Sequence, residues 1–75
     1  MNKKRRTAVK DVCSQLKLIK EQLSDIQYEE QDVYDNIPDN LLETDAAEES
    51  GEAIDKMEEA ADYIDDAIDC LQELV

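Results

Sequence analysis

The sequence predicts an all-α protein, an antiparallel two-helix hairpin of the coiled-coil kind, formed as a single domain over residues 1–75. Three observations predict this fold. With one glycine and one proline, the chain lacks the turn residues of a sheet protein. Apolar residues recur at alternating steps of three and four in both halves, as they do along a helix packed against another helix. Only one stretch, residues 36–44, contains a strong helix breaker between the two patterns.

The first helix is predicted over residues 6–35. Its expected contact line, or seam, consists of Val9, Val12, Leu16, Ile19, Leu23, Ile26, Val33 and Ile37. Glu30 occupies a slot of this series where an apolar residue is expected. Because Glu30 lies close to the turn, where a hairpin can splay, its carboxylate is expected to reach water.

The turn is predicted at residues 36–44, and a second helix over residues 45–74. Pro38 disfavours the helical conformation at Ile37 and has no N–H to donate, so the first helix should end near residue 36. The second seam consists of Ile54, Met57, Ala61, Ile64, Ile68, Leu71 and Val75. Ser50-Gly51 is a weak point, since glycine costs a helix interior about 1 kcal/mol relative to alanine, and regular helix could begin only at Ser50.

The net charge of −13 is divided sharply along the chain. Residues 1–20 carry seven cations and one acid, whereas residues 21–75 carry 20 acids and one lysine. Antiparallel pairing, with paired residue numbers adding to about 82, would place the basic first helix beside the acidic end of the second. The turn end then stays strongly anionic. This excess argues against direct binding to nucleic acid or to an anionic membrane.

The composition favours a cytoplasmic protein without catalytic residues, cofactor or bound metal. No apolar run approaches the roughly 18 residues of a membrane span, and no signal peptide is recognisable. Histidine is absent, and Cys13 and Cys70 match no metal or redox spacing, so both are expected to be reduced thiols. Acidic pairs at 48–52 and 58–62 resemble magnesium-binding motifs of helical nucleotide pyrophosphatases, but they should lie on the outer side of one helix.

Residues 34–41 read Tyr-Asp-Asn-Ile-Pro-Asp-Asn-Leu, and Glu-Glu-Ala and Asp-Asp-Ala runs follow in the second helix. With these features the chain resembles small, uncharacterised acidic helical-hairpin proteins of bacterial genomes and mobile elements. The resemblance covers most of the chain. It implies a hairpin fold and no particular activity.

Acidic residues recur every seven positions on the outer side of the second helix. One row is Glu48, Asp55, Asp62 and Asp69, and the other is Glu52, Glu59, Asp66 and Glu73. Carboxylates three or four residues apart repeat about every 5 to 6 Å, similar to phosphates along a strand. The rows favour a non-enzymatic acidic binding protein that mimics nucleic acid and inhibits a partner protein with a basic, nucleic-acid-binding surface. The candidate partner-binding residues are Asp45, Glu48, Glu49, Glu52, Asp55, Glu59, Tyr28 and Tyr63.

A second pattern leaves an alternative function open. Beside the second seam, a strip of small residues recurs every seven positions: Ala53, Ala60, Ala67 and Leu74. The strip either widens the contact within the hairpin or meets a second hairpin, giving a homodimeric four-helix bundle. In the latter case the protein is a self-associating structural module, and its acidity serves only solubility.

Overall fold

All 75 residues are described by a computed structural model, which consists of two long helices and the connection between them. Helix α1 spans Lys3–Asp35 and helix α2 spans Asp45–Gln72, with a short 3-10 turn at Asp39–Leu41. The helices lie side by side in a rod whose Cα extents are 59 × 15 × 12 Å. The predicted all-helical hairpin is therefore confirmed.

Side-chain caps place the helix starts. The side chain of Asn2 accepts a hydrogen bond of 2.8 Å from the backbone N–H of Arg5, so α1 begins three residues before the predicted start. Thr44 Oγ1 accepts from the N–H of Ala47 at 3.3 Å, and α2 then runs without a break through Gly51. It ends at Gln72, two residues before the predicted end.

Two contacts define the antiparallel register. Lys20 Nζ lies 2.5 Å from Asp65 Oδ2, and the Tyr34 ring lies against Gly51. The paired numbers add to 85 in both cases rather than to the expected 82, a shift of about 4.5 Å along the helices. Two structural consequences follow: residues 3–12 of α1 extend past the end of α2 at Gln72, and the first turn of α2 extends past the end of α1.

The connection explains this shift, because it folds over the first turn of α2 instead of reversing the chain symmetrically. Ala47 is level with Pro38, beyond the end of α1, yet its side chain is only 1% exposed. The connection must therefore cover it. Leu41 and Leu42 remain 44% and 36% exposed, so they close this end only in part.

The seam of α2 lies where the sequence predicts it except at its last predicted member, Val75, which is 43% exposed and lies beyond the end of α2 at Gln72. Ile54, Ala61 and Ile68 are buried, and the positions between them are half-buried. The seam also continues one heptad toward the turn through Ala47 and Ser50, both buried. The Ser50 hydroxyl has no hydrogen-bond partner.

The predicted seam of α1 is wrong at every second position. Val12, Ile19, Ile26 and Val33 do not pack against α2, and their exposed fractions range from 45% to 58%. The residues that face α2 in their place are Cys13, Lys20, Gln27 and Tyr34. Val9, Leu16, Leu23, Glu30 and Ile37 are half-buried as predicted, so α1 is rotated by about half of the 100° that separates consecutive residues.

The rotation gives the hairpin two chemically different sides. One groove brings Lys17 and Ser24 of α1 together with Asp65 and Gln72 of α2. We call the side of the hairpin that carries these polar and charged residues the polar flank. On each helix, the residues across the seam from this flank are aliphatic. The resulting apolar flank comprises Val12, Ile19, Ile26 and Val33 of α1 with Ala53, Ala60 and Ala67 of α2 and Leu74 in the turn that follows α2.

Gly51 lies in regular helix, and replacing it by alanine should stabilise the hairpin. A Cβ at this position would meet Tyr34 Cε2 at 3.6 Å, an ordinary contact, and the backbone φ is not positive. Gly51→Ala is expected to raise stability by about 1 kcal/mol. Thermal unfolding followed by circular dichroism should show a melting temperature about 4–8 °C higher. A lower melting temperature would show that the Tyr34 ring cannot accommodate the methyl group.

Glu30 lies in the seam, half-buried, without a hydrogen bond or an ion pair. Glu30→Leu is therefore expected to extend the apolar contact with α2 and raise stability by about 1 kcal/mol. Glu29→Leu is a matched control, because Glu29 is the exposed neighbour and should change the melting temperature little. An unchanged or lower melting temperature for Glu30→Leu alone would mean that this carboxylate has a specific partner.

Candidate partner-binding surface

The surface of α2 opposite the seam is a continuous acidic ridge. It consists of the two rows predicted from the sequence, from Glu48 to Glu73, and all eight carboxylates are exposed. The ridge is about 37 Å long at 1.5 Å per residue. Residues of the two rows alternate at steps of three and four, so neighbouring carboxylates lie about 5 to 6 Å apart.

The end of the hairpin at the connection, here called the closed end, carries acids that nothing in the fold neutralises. Asp45, Glu48, Glu49, Glu52 and Asp55 are all exposed, and none has a cation within 4 Å. In the whole chain, two of the 21 acidic residues form ion pairs. The partial positive charge at the start of α2 favours the carboxylates of its first turn, Asp45 and Glu48. The helix dipole therefore favours the charge of the first turn of α2, but no basic side chain of the hairpin pairs with the acids of the closed end.

Glu59 is the predicted binding residue with the most defined surroundings. The Tyr63 hydroxyl donates a hydrogen bond of 3.0 Å to Glu59 Oε1, and Lys56 Nζ lies 3.4 Å from Glu59 Oε2. The hydrogen bond from Tyr63 and the nearby Lys56 ammonium lower the pKa of this carboxyl, so Glu59 stays ionised to a lower pH. The Tyr63 ring is 64% exposed and presents an apolar surface at the edge of the ridge.

Tyr28 is not brought together with the other candidates. It lies on α1, 75% exposed, beside a shallow groove lined by Ser24, Gln27 and Gln31. The ridge and Tyr63 belong to α2. The candidate surface is therefore the acidic ridge with Tyr63, and Tyr28 forms a separate exposed ring.

Six of the eight basic residues also lack a carboxylate partner within 4 Å. They are Lys3, Lys4, Arg5, Arg6, Lys10 and Lys17. Four of them crowd the first turns of α1, where cations are unfavourable because the helix dipole is positive there. These four residues lie in the segment of α1 that extends past the end of α2, and none of them forms an ion pair with an acid of the C-terminal turn.

The thiols and the acidic pairs of the chain do not form a cluster. Cys13 is buried and Cys70 is exposed, and both thiols are free. No three carboxylates or thiols converge as metal ligands would, and the acidic pairs that resemble a magnesium motif all belong to one helix, α2. Neither helix has a stretch both long and apolar enough to cross a bilayer.

Sequence reasoning missed the apolar flank of α1. Its four aliphatic residues were assigned to the intramolecular seam because their spacing satisfies the heptad rule as well as their neighbours do. The apolar residues of α1 occupy two heptad rows, the width of one seam, so their spacing alone does not show that one row lies outside the contact.

Fold and surface together define an acidic helical hairpin with an uncompensated anionic ridge and an exposed aliphatic flank. Comparison with family models, with curated proteins and with solved structures found no match to this chain.

Proposed function

We propose that this protein is a non-catalytic acidic binding protein whose ridge occupies the basic surface of a nucleic-acid-binding protein and so blocks it. The observation that carries the proposal is the uncompensated charge of the closed end, where residues 21–59 hold 15 acids and one lysine. None of the five carboxylates predicted at the start of α2 is engaged within the fold. These carboxylates can therefore pair with cations of a partner without first breaking a contact within the hairpin.

The dimensions of the ridge support mimicry of a nucleic-acid backbone. Its length of about 37 Å is close to one turn of B-DNA, about 34–36 Å. Carboxylates along it repeat at intervals similar to those of phosphates, and they project from a helix rather than a flexible tail. A basic groove shaped for a duplex could therefore meet several carboxylates at once.

Tyr63 adds a specific anchor to an otherwise electrostatic surface. Its hydroxyl is oriented by Glu59, and its ring is largely exposed. Tyrosine at the edge of a charged surface contributes apolar contact at a small cost in side-chain entropy, because it has few rotatable bonds. The ring would let the partner distinguish this surface from a generic polyanion.

The experiment is an affinity capture from the native host with the immobilised full-length chain, eluted by stepwise increases in salt. The Debye length falls from about 10 Å at 0.1 M to about 3 Å at 1 M, so a partner held by the ridge should elute well below 1 M. The eluted protein should bind nucleic acid, and the free hairpin should compete for that binding. A partner that resists high salt would show that the interface is apolar and contradict the proposal.

A self-associating structural module is the second candidate function, and the apolar flank favours it. Aliphatic side chains in a continuous line on a small chain usually mark a contact with another molecule. In that case the ridge would serve only solubility, and the salt-dependent capture would yield no nucleic-acid-binding protein.

A further inference from the structure

We infer that the apolar flank is the contact surface for a second copy of this chain, and that the two hairpins pack antiparallel, with their closed ends at opposite ends of a four-helix bundle. The inference is independent of the proposed function, because the acidic ridge lies on the outer side of α2 and stays exposed in the bundle. It also makes the α1 residues, rather than the alanine strip alone, the centre of the contact.

The first argument is the contrast between the two sides of the hairpin. Grooves on the polar flank are lined by Lys17, Ser24 and Asp65 near one end and by Gln31 and Asp55 near the other. The opposite side carries none of these groups at the corresponding heptad positions. There, Val12, Ile19, Ile26 and Val33 repeat every seven residues over about 31 Å, each roughly half exposed. Regular aliphatic spacing of this kind is what a neighbouring helix requires.

The second argument is that one two-fold axis relates the stripes of both helices. The middle of the α1 stripe lies between Gln22 and Leu23, which the observed register places level with Tyr63 and Asp62. The middle of the α2 strip, from Ala53 to Leu74, lies between Tyr63 and Ile64. The two centres agree within one residue, about 1.5 Å. A second copy rotated about this point therefore matches α1 with α1 and α2 with α2, as an isologous dimer requires.

Charge selects the antiparallel arrangement over the parallel one. Side-by-side parallel packing would bring together two closed ends, each with a net charge of −14 over residues 21–59. Antiparallel packing instead brings the basic, overhanging start of α1 beside the closed end of the other copy. Arg5 continues the α1 stripe by one heptad, so it extends past the end of α1 in the second copy, toward the acids of that copy's connection and of the first turn of its α2. The four cations at the start of α1, Lys3, Lys4, Arg5 and Arg6, thereby gain an acidic neighbourhood.

The available area is adequate for a stable dimer. The whole side measures 59 by 15 Å between Cα atoms, so a contact along its full length covers at most roughly 900 Å² per copy, and a standard stable interface buries roughly 800 Å² per partner. The small side chains of Ala53, Ala60 and Ala67 let the two α2 helices approach closely. On the other half of the interface, Val12 meets Val33 and Ile19 meets Ile26 of the second copy.

Sedimentation equilibrium of the full chain tests the contact. The wild type is expected at twice the chain mass, and Ile19→Glu/Ile26→Glu at the monomer mass with its helical circular dichroism retained, since neither side chain belongs to the intramolecular seam. Ala60→Glu/Ala67→Glu should also be monomeric. Ser14→Glu/Leu18→Glu adds the same two charges to exposed positions of α1 away from the flank and should stay dimeric. A monomeric wild type, or a dimer that survives Ile19→Glu/Ile26→Glu, overturns the inference.

Cysteine cross-linking tests the orientation. In a background of Cys13→Ala and Cys70→Ser, the pair Ile19→Cys/Ile26→Cys should oxidise to a covalent dimer, because each position faces the other across the axis. Within one chain the two positions are about 10 Å apart, beyond the roughly 7 Å that a disulfide spans. Val12→Cys/Ile19→Cys is the control, and neither of its positions faces the other in the antiparallel dimer. A dimer in which Ile19→Cys/Ile26→Cys does not cross-link, or cross-links no more than the control pair, overturns the antiparallel arrangement.

Discussion

Reversal of four carboxylates at the closed end, Asp45, Glu48, Glu52 and Asp55, to lysine is expected to abolish binding to a basic partner and to relieve competition with nucleic acid. These side chains are exposed, unpaired and distant from the cations of α1. The four changes convert local attraction into repulsion, and like charges brought together at an interface cost several kcal/mol. Isothermal titration calorimetry with the captured partner measures the loss.

The matched control reverses four other ridge residues, Asp62, Asp66, Asp69 and Glu73, which changes the net charge equally. These residues lie on the half of α2 that runs beside the basic part of α1, where the negative potential is weaker. Their reversal should weaken binding less. Equal losses for both sets would mean that total charge alone matters and that the closed end is not the contact.

Lysine near the start of α2 also opposes the helix dipole, so the first variant could lose stability as well as charge. A neutral set, with asparagine and glutamine at the same four positions, keeps the helix and removes the attraction. It should reduce affinity by an intermediate amount. Circular dichroism of each variant confirms that the helices are retained before affinities are compared.

Ile68→Ala is expected to have the largest effect on stability. Ile68 is 5% exposed, and it and Ile54 are the only large aliphatic side chains in the buried set. Removing such a side chain costs about 2–5 kcal/mol. A 75-residue domain typically has about 4–11 kcal/mol of stability in total, so the change removes a large share of it. Thermal unfolding should show a melting temperature lower by at least about 10 °C.

Leu18→Ala provides the comparison for this prediction. Leu18 is 60% exposed and points away from both the seam and the apolar flank, so its truncation should change stability by no more than about 0.5 kcal/mol. Similar effects of the two substitutions would contradict the packing described for α2. They would show that the buried line of Ile54, Ala61 and Ile68 does not carry the stability of the hairpin.

The alanine strip and the exposed stripe of α1 have a common physical explanation. Two helices alone can bury only the line along which they touch, and a chain of this size has few other side chains to cover a second line. A wider apolar stripe on one of the helices therefore stays exposed unless another molecule covers it. The exposure of these side chains therefore depends both on where the seam of α1 lies and on the oligomeric state of the protein.

The sequence by itself determined the helical class, the place of the turn and the seam of α2. Pro38 and the heptad spacing act locally, through backbone sterics and helical periodicity, so they could be interpreted without knowing what packs where. The acidic ridge was predictable for the same reason. It follows from a seven-residue repeat on one helix and needs no tertiary contact.

Only the tertiary structure decided the rotation of α1, the register and the role of Val12, Ile19, Ile26 and Val33. The predicted and the observed orientations of α1 differ by a rotation of about 50° about the helix axis, and both place Leu16 and Leu23 in the seam. Heptad spacing therefore does not distinguish between them. The pairing of Lys20 with Asp65 and the packing of Tyr34 on Gly51 accompany one of them. Those contacts join residues 45 and 17 positions apart. Their geometry depends on how the connection folds over Ala47, which no local pattern encodes.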